Sequence, residues 1–165
     1  MRGTGDKPTE AMSFRRAAYP QTMASRLANA IAAAPFNEVE RRLVVRIVAW
    51  LEAEVGDDLL AIWLYGSRAR GEADPHETDP DRRSDIDMLV VLGLDGDEQA
   101  LRWSVLPAVE RMADAEGDSP IYYSVRVIGE DWLRDRRRIH SFFIQEVDRD
   151  KIVLAGTDLD EECYR

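Results

Sequence analysis

Cysteine is almost missing from this 165-residue chain. Cys163 is the only one, which excludes a disulfide framework and a paired-cysteine zinc knuckle. Histidine is nearly as scarce, with His76 and His140 alone, too few for a zinc site built on imidazole. Lysine is confined to Lys7 and Lys151, so arginine carries the positive charge. That charge is itself in deficit: 22 Lys and Arg stand against 32 Asp and Glu, a net charge of −10. A sequence-independent nucleic-acid coat needs the opposite balance to neutralise phosphates, so strong non-specific nucleic-acid binding is not expected. No apolar run approaches the roughly 20 residues of a membrane span. The opening Met1-Arg2-Gly3-Thr4-Gly5-Asp6 lacks the apolar stretch of a secretory signal. The expectation is a soluble, cytoplasmic protein with no membrane partner. Apolar side chains are plentiful at 45%, enough to build a real core.

The chain divides by pattern into four expected parts. Residues 1–19 mix Gly, Pro, Thr and charge without period and read as a flexible lead-in. Residues 20–56 read as two helices packing on the domain. Met23, Leu27, Ile31 and Ala34 recur at helical spacing until Pro35. Asn37 is then an N-cap with Glu40 at the reciprocal position, and Gly56 is the stop. Residues 57–157 alternate strands and helices, and 158–165 form an acidic tail. Leu59 to Tyr65 is a strand buried on both faces, Asp85 to Leu92 a second and Ile121 to Ile128 a third. Ile152 to Leu154 add a short last strand. A helix from about Asp97 to Glu116 is expected to break or restart at Pro107. Glu130 to Val147 reads as one helix, with His140 partly buried and Trp132, Phe142 and Phe143 spaced for packing. The result is an α+β (α/β) domain with a small mixed sheet flanked by helices.

Chemistry is concentrated between Gly66 and Leu92. Asp85 and Asp87 stand two apart on a strand, so both carboxylates leave the same face. Adjacent like charges repel, and a site that tolerates them usually supplies a cation. Hard oxygen donors suit Mg²⁺ or Mn²⁺. Gly66-Ser67 directly follows a buried strand and offers backbone N–H groups and a hydroxyl to a phosphate. Arg68 and Arg70 can grip phosphate oxygens bidentately. Taken singly, each feature reads more readily as an ordinary turn, a solvated arginine or a surface acid. Two familiar motifs are absent: Glu72 and Ala73 follow Gly71 where a P-loop needs Lys and Ser or Thr, and Tyr65 replaces the first glycine of a nucleophile elbow. The run Arg134-Asp135-Arg136-Arg137-Arg138 spreads around a helix and reads as a solvated face.

Together, Leu64-Tyr65-Gly66-Ser67-Arg68-Ala69-Arg70-Gly71-Glu72-Ala73 and Ser84-Asp85-Ile86-Asp87-Met88-Leu89-Val90 resemble the minimal nucleotidyltransferase domain of the DNA polymerase β-like superfamily. The likeness covers roughly 44–155. It implies a nucleotidyltransferase fold in which Gly66 and Ser67, helped by Arg68 or Arg70, hold the phosphates of an NTP, ATP being the expected one. It implies that Asp85 and Asp87 bind Mg²⁺ or Mn²⁺, and that a nucleoside monophosphate passes to an acceptor hydroxyl. It also brings in a partner, since some small relatives are antitoxins of HEPN-type toxins; a homo-oligomer is compatible as well.

Two departures open a rival expectation. Seventeen residues separate Ser67 from Asp85, an acidic insertion relative to the family's spacing. Where the next strand should bring a third carboxylate, Ser124 stands, with Arg126 on the same face and Glu116 and Asp118 just ahead. The alternative is therefore a catalytically reduced module that works by binding, as an antitoxin or a nucleotide-sensing subunit.

Overall fold

The computed structural model describes residues 23–159. The expected lead-in over 1–19, most of the acidic tail and Cys163 lie outside them. The elements run α1 (Met23–Ala33), α2 (Glu38–Val55), β1 (Leu59–Tyr65), α3 (Gly66–Ala69), β2 (Ile86–Leu92), α4 (Glu98–Glu116), β3 (Tyr123–Gly129), α5 (Glu130–Arg138), α6 (Phe142–Asp150) and β4 (Ile152–Gly156). Single 3₁₀ turns at Gly56–Asp58 and Pro120–Tyr122 lead into β1 and β3.

The strands form one mixed sheet in the order β3-β2-β1-β4. β1 is antiparallel to β2 and to β4, while β2 and β3 are parallel and joined through α4. Because strand side chains alternate, the sheet has two apolar faces. Ile62, Leu64, Ile86, Met88, Val90 and Leu92 meet α1, α2 and α4. Ala61, Trp63, Leu89 and Val91 meet Leu133 of α5 and Ile144 and Val147 of α6. With helices on both sides, the central strands read as continuous apolar runs. α1 packs along β4, and at the opposite edge Arg102 of α4 donates from Nε and Nη2 to the Val127 carbonyl at 3.1 and 2.8 Å. Among the described residues no helix is long and apolar enough to cross a membrane.

α2 starts on a full capping box: Asn37 Oδ1 accepts from the Glu40 amide and a Glu40 carboxylate oxygen from the Asn37 amide, both at 2.9 Å.

Two expectations fail. α4 runs unbroken through Pro107. Proline removes only the one bond to the carbonyl four residues back, that of Trp103. On the inner face Val105, Ala108, Val109 and Met112 are buried, and that packing holds the two halves in line. The expected helix over 130–147 is instead two helices. His140 takes φ 51, its amide donates to the Arg137 carbonyl and the Ser141 amide to that of Arg136. This is a Schellman stop, in which His140 occupies the left-handed position that glycine usually fills. His140 is consequently exposed, as are Ile139 and Phe142, contrary to the packing role expected of His140 and Phe142. The basic run is largely solvent-facing as expected, with Arg134 and Arg138 exposed, and Arg134, Arg137 and Arg138 pair with acids at Glu130, Asp131, Asp148 and Asp135.

Candidate functional site

β1 ends at Tyr65, and the chain turns at once through Gly66 into the single helical turn α3. Gly66 has φ +74, and a Cβ there would lie 2.8 Å from Asp87 Oδ2. The turn thus runs directly against the Asp87 carboxylate, an approach only glycine permits. In the sheet Asp87 stands opposite Tyr65 on β1 and Ser124 on β3. Asp85 is exposed, one residue ahead of β2; Asp87 is half-buried. Both fall in the alternation that carries Leu89 and Val91, so they belong to the α5/α6 face.

Burial, and after it the charge of Asp85, pushes the Asp87 carboxyl above its usual range, although a hydrogen bond from Ser124 and the charge of Arg126 work against this. Tyr65 is raised first by burial and then by Asp87, with Arg126 again opposing. Its ring meets Phe143 of α6 edge-on, with centroids 5.6 Å apart. The Arg126 guanidinium lies 4.7 Å from the centre of the same Phe143 ring. Tyr65, Phe143 and Arg126 thus surround the aspartates; the i, i+2 alternation on β3 hinted at Arg126, while nothing in the sequence marked Phe143.

The expected phosphate ligand Arg68 is not placed for that work, and this is a correction. Its side chain is 0% exposed. Nη1 and Nη2 bond Glu40 at 3.1 and 2.8 Å, and the same nitrogens donate to the Pro35 and Ser84 carbonyls. A guanidinium so enclosed cannot reach a ligand, but it ties α3 to the residue preceding Asp85. Ser67 is half-buried, and Arg70, at the exposed rim, pairs with Glu72 at 2.9 Å.

Neither acid ahead of β3 supplies a third carboxylate. Glu116 takes Arg42 and Arg46 at 2.9 and 2.8 Å. Asp118 is bound by Arg83 through two 2.7 Å bonds, by the Tyr123 hydroxyl at 2.6 Å and by the Ser119 amide. Among the described residues no group of three or more His, Cys, Asp or Glu is arranged to hold a metal. The donor set is two carboxylates with a serine hydroxyl beside them. Those hard oxygens suit a Mg²⁺ that keeps water and substrate oxygens in its other positions.

Asp118 gives a pH test. Burial alone would raise its pKa, but the bonds from Arg83, Tyr123 and Ser119 prevail and hold it down at about 2. A depressed folded pKa gives stability that is fully present above the ordinary carboxylate pKa of about 4 and lost as pH falls toward the folded value. Urea unfolding between those limits should show stability falling with acid, and Asp118→Asn should flatten that fall. Parallel profiles for the two proteins would count against the assignment.

No family model and no curated protein matches the chain. Solved structures with similar chains include a toxin–antitoxin with AMP-PNP (23% identity, 72% of this chain and 78% of that one, TM-score 0.44). Another is a tri-AMPylated Shewanella oneidensis HEPN toxin in complex with an MNT antitoxin (19%, 75% and 78%, TM-score 0.43). A third is the toxin–antitoxin MntA–HepT (21%, 74% and 79%, TM-score 0.39).

Proposed function

We propose that this chain binds a nucleoside triphosphate on the face bearing Gly66, Ser67, Asp85 and Asp87 and transfers its nucleoside monophosphate, AMP from ATP, to a hydroxyl of a protein, nucleic-acid or small-molecule acceptor. One observation carries the reading: the Gly66 turn lies against the Asp87 carboxylate, so close that a methyl group would collide with it. A side-chain-free turn beside paired carboxylates lets phosphate oxygens approach backbone N–H groups while the acids hold a cation. Asp85 and Asp87 would hold Mg²⁺ or Mn²⁺, which when bound offsets charge on the leaving pyrophosphate and lowers the pKa of the acceptor hydroxyl. Ser67 donates to a phosphate oxygen, and Arg70 reaches one by exchanging Glu72 for it. The site belongs to the portion over 57–157, with the helices of 20–56 packed beneath it, in a protein of the cytoplasm.

A second reading has its own observation. Ser124, not an acid, faces Asp87 across β2 and β3. A site short of one carboxylate keeps nucleotide binding more readily than turnover, which suits a nucleotide-sensing subunit or an antitoxin, with a HEPN-type toxin as the first partner to try.

Calorimetric titration of Mg-ATP into the wild type and Asp85→Asn/Asp87→Asn tests both. Binding that needs the metal should weaken at least about a hundredfold in the double variant, since two charged ligands are lost. Equal affinity in the two proteins would refute the site. Transfer of label from α-phosphate-labelled ATP to an acceptor then separates enzyme from binding module.

A further inference from the structure

Most arginines among the described residues pair with acids, but Arg126 does not. Exposed on β3, it forms no ion pair among the described residues and stacks instead on Phe143. Phe143 touches Tyr65 at the end of β1, so the guanidinium stands over the face that holds Asp87 rather than pointing off the sheet. It borders a shallow hollow at the β3 edge shared with Ser124, Arg102 and Trp132. A second guanidinium, Arg136, lies 5.2 Å from the centre of the Trp132 ring, with its Nε buried and without a hydrogen-bond partner. An aromatic ring beneath a guanidinium fixes its plane while leaving its N–H groups free. Held on Phe143 in this way, the planar fork of Arg126 matches two oxygens of a phosphoryl group.

We propose that Arg126 is a phosphate-binding residue, its guanidinium taking two non-bridging oxygens of a phosphoryl group held at the Asp85–Asp87 pair. This rests on the nucleotide reading above. Chemically it gives the site a fixed positive charge that no divalent ion has to supply. Two carboxylates alone would repel a phosphate; with Arg126 beside them the face carries only one net negative charge.

The test removes the metal. With EDTA present, inorganic tripolyphosphate is titrated into the wild type, Arg126→Gln, Arg126→Lys, Asp85→Asn/Asp87→Asn and Arg111→Gln, the last an exposed arginine on α4 outside this face. Thermal melts check that each is folded. The wild type should bind, Arg126→Gln should weaken about tenfold to a hundredfold, and Arg126→Lys should fall between. The double asparagine variant should bind as well or better, since its repelling charges are gone. No binding by the wild type, equal binding by Arg126→Gln, or an equal loss in Arg111→Gln would each overturn the inference. The nucleotide reading is judged separately, by loss of Mg-ATP binding in the double asparagine variant, so either can fail while the other stands.

Discussion

Glu40→Ala should cost about 3–5 kcal/mol of folding stability, enough to leave a protein of ordinary stability barely folded. Glu40 is the carboxylate between two guanidiniums: Arg68 at 2.8 Å and Arg83 at 3.1 Å. Its side chain is 1% exposed and that of Arg68 is not exposed at all, so water cannot replace the lost partner. The arrangement joins α2, α3, the loop before β2 and, through Arg83 and Asp118, the approach to β3. Removing the anion strands a buried cation. Glu40→Leu combined with Arg68→Met should be far milder, because the fully buried cation goes too and Arg83 keeps Asp118. Urea unfolding of the wild type, both single variants and the double variant closes the cycle. A loss below about 1 kcal/mol in Glu40→Ala would mean that the pair is open to solvent and worth no more than a surface bridge.

Gly66→Ala should abolish Mg-ATP binding while leaving a folded protein. Two costs add. An alanine at φ +74 loses about 1–2 kcal/mol to backbone strain, and its methyl would stand 2.8 Å from Asp87 Oδ2. Either the turn or the carboxylate must move, and both are parts of the site. Gly71→Ala is the control: φ is +72, yet nothing lies within 4 Å of its Cβ, so it meets the strain without the collision. The two variants should lose similar backbone stability and differ sharply in affinity for Mg-ATP. Equal affinities would mean that the contact between Gly66 and Asp87 plays no part in binding.

Local patterns were the legible ones. The run Leu59–Tyr65 stands as the expected strand because an apolar run ending at a glycine has little else to become. The Asn37–Glu40 box was visible for the same reason: capping acts over three residues. Continuity of α4 through Pro107 was not visible, since it depends on inward packing rather than on proline's own preference. The stop at His140 was hidden because the residue in the left-handed position is not glycine. At the site, the spacing of Asp85 and Asp87 placed them on one face. Arg68 looked like a ligand because sequence proximity to Gly66-Ser67 says nothing of direction; its partner Glu40 lies 28 positions away. Arg126 was assigned to a face, but only the position of Phe143 gives it a reason to turn toward Asp87.

The Arg102 side chain at the β3 carbonyl bears on how these molecules meet one another. The two outer strands of a sheet are templates for a further strand, and a chain that leaves them bare tends to aggregate. Here α1 lies along β4, and on β3 the Val127 carbonyl is already taken by Arg102. An incoming strand would find that acceptor occupied. One arginine of α4 thus caps part of the edge that β3 would otherwise offer to a second molecule.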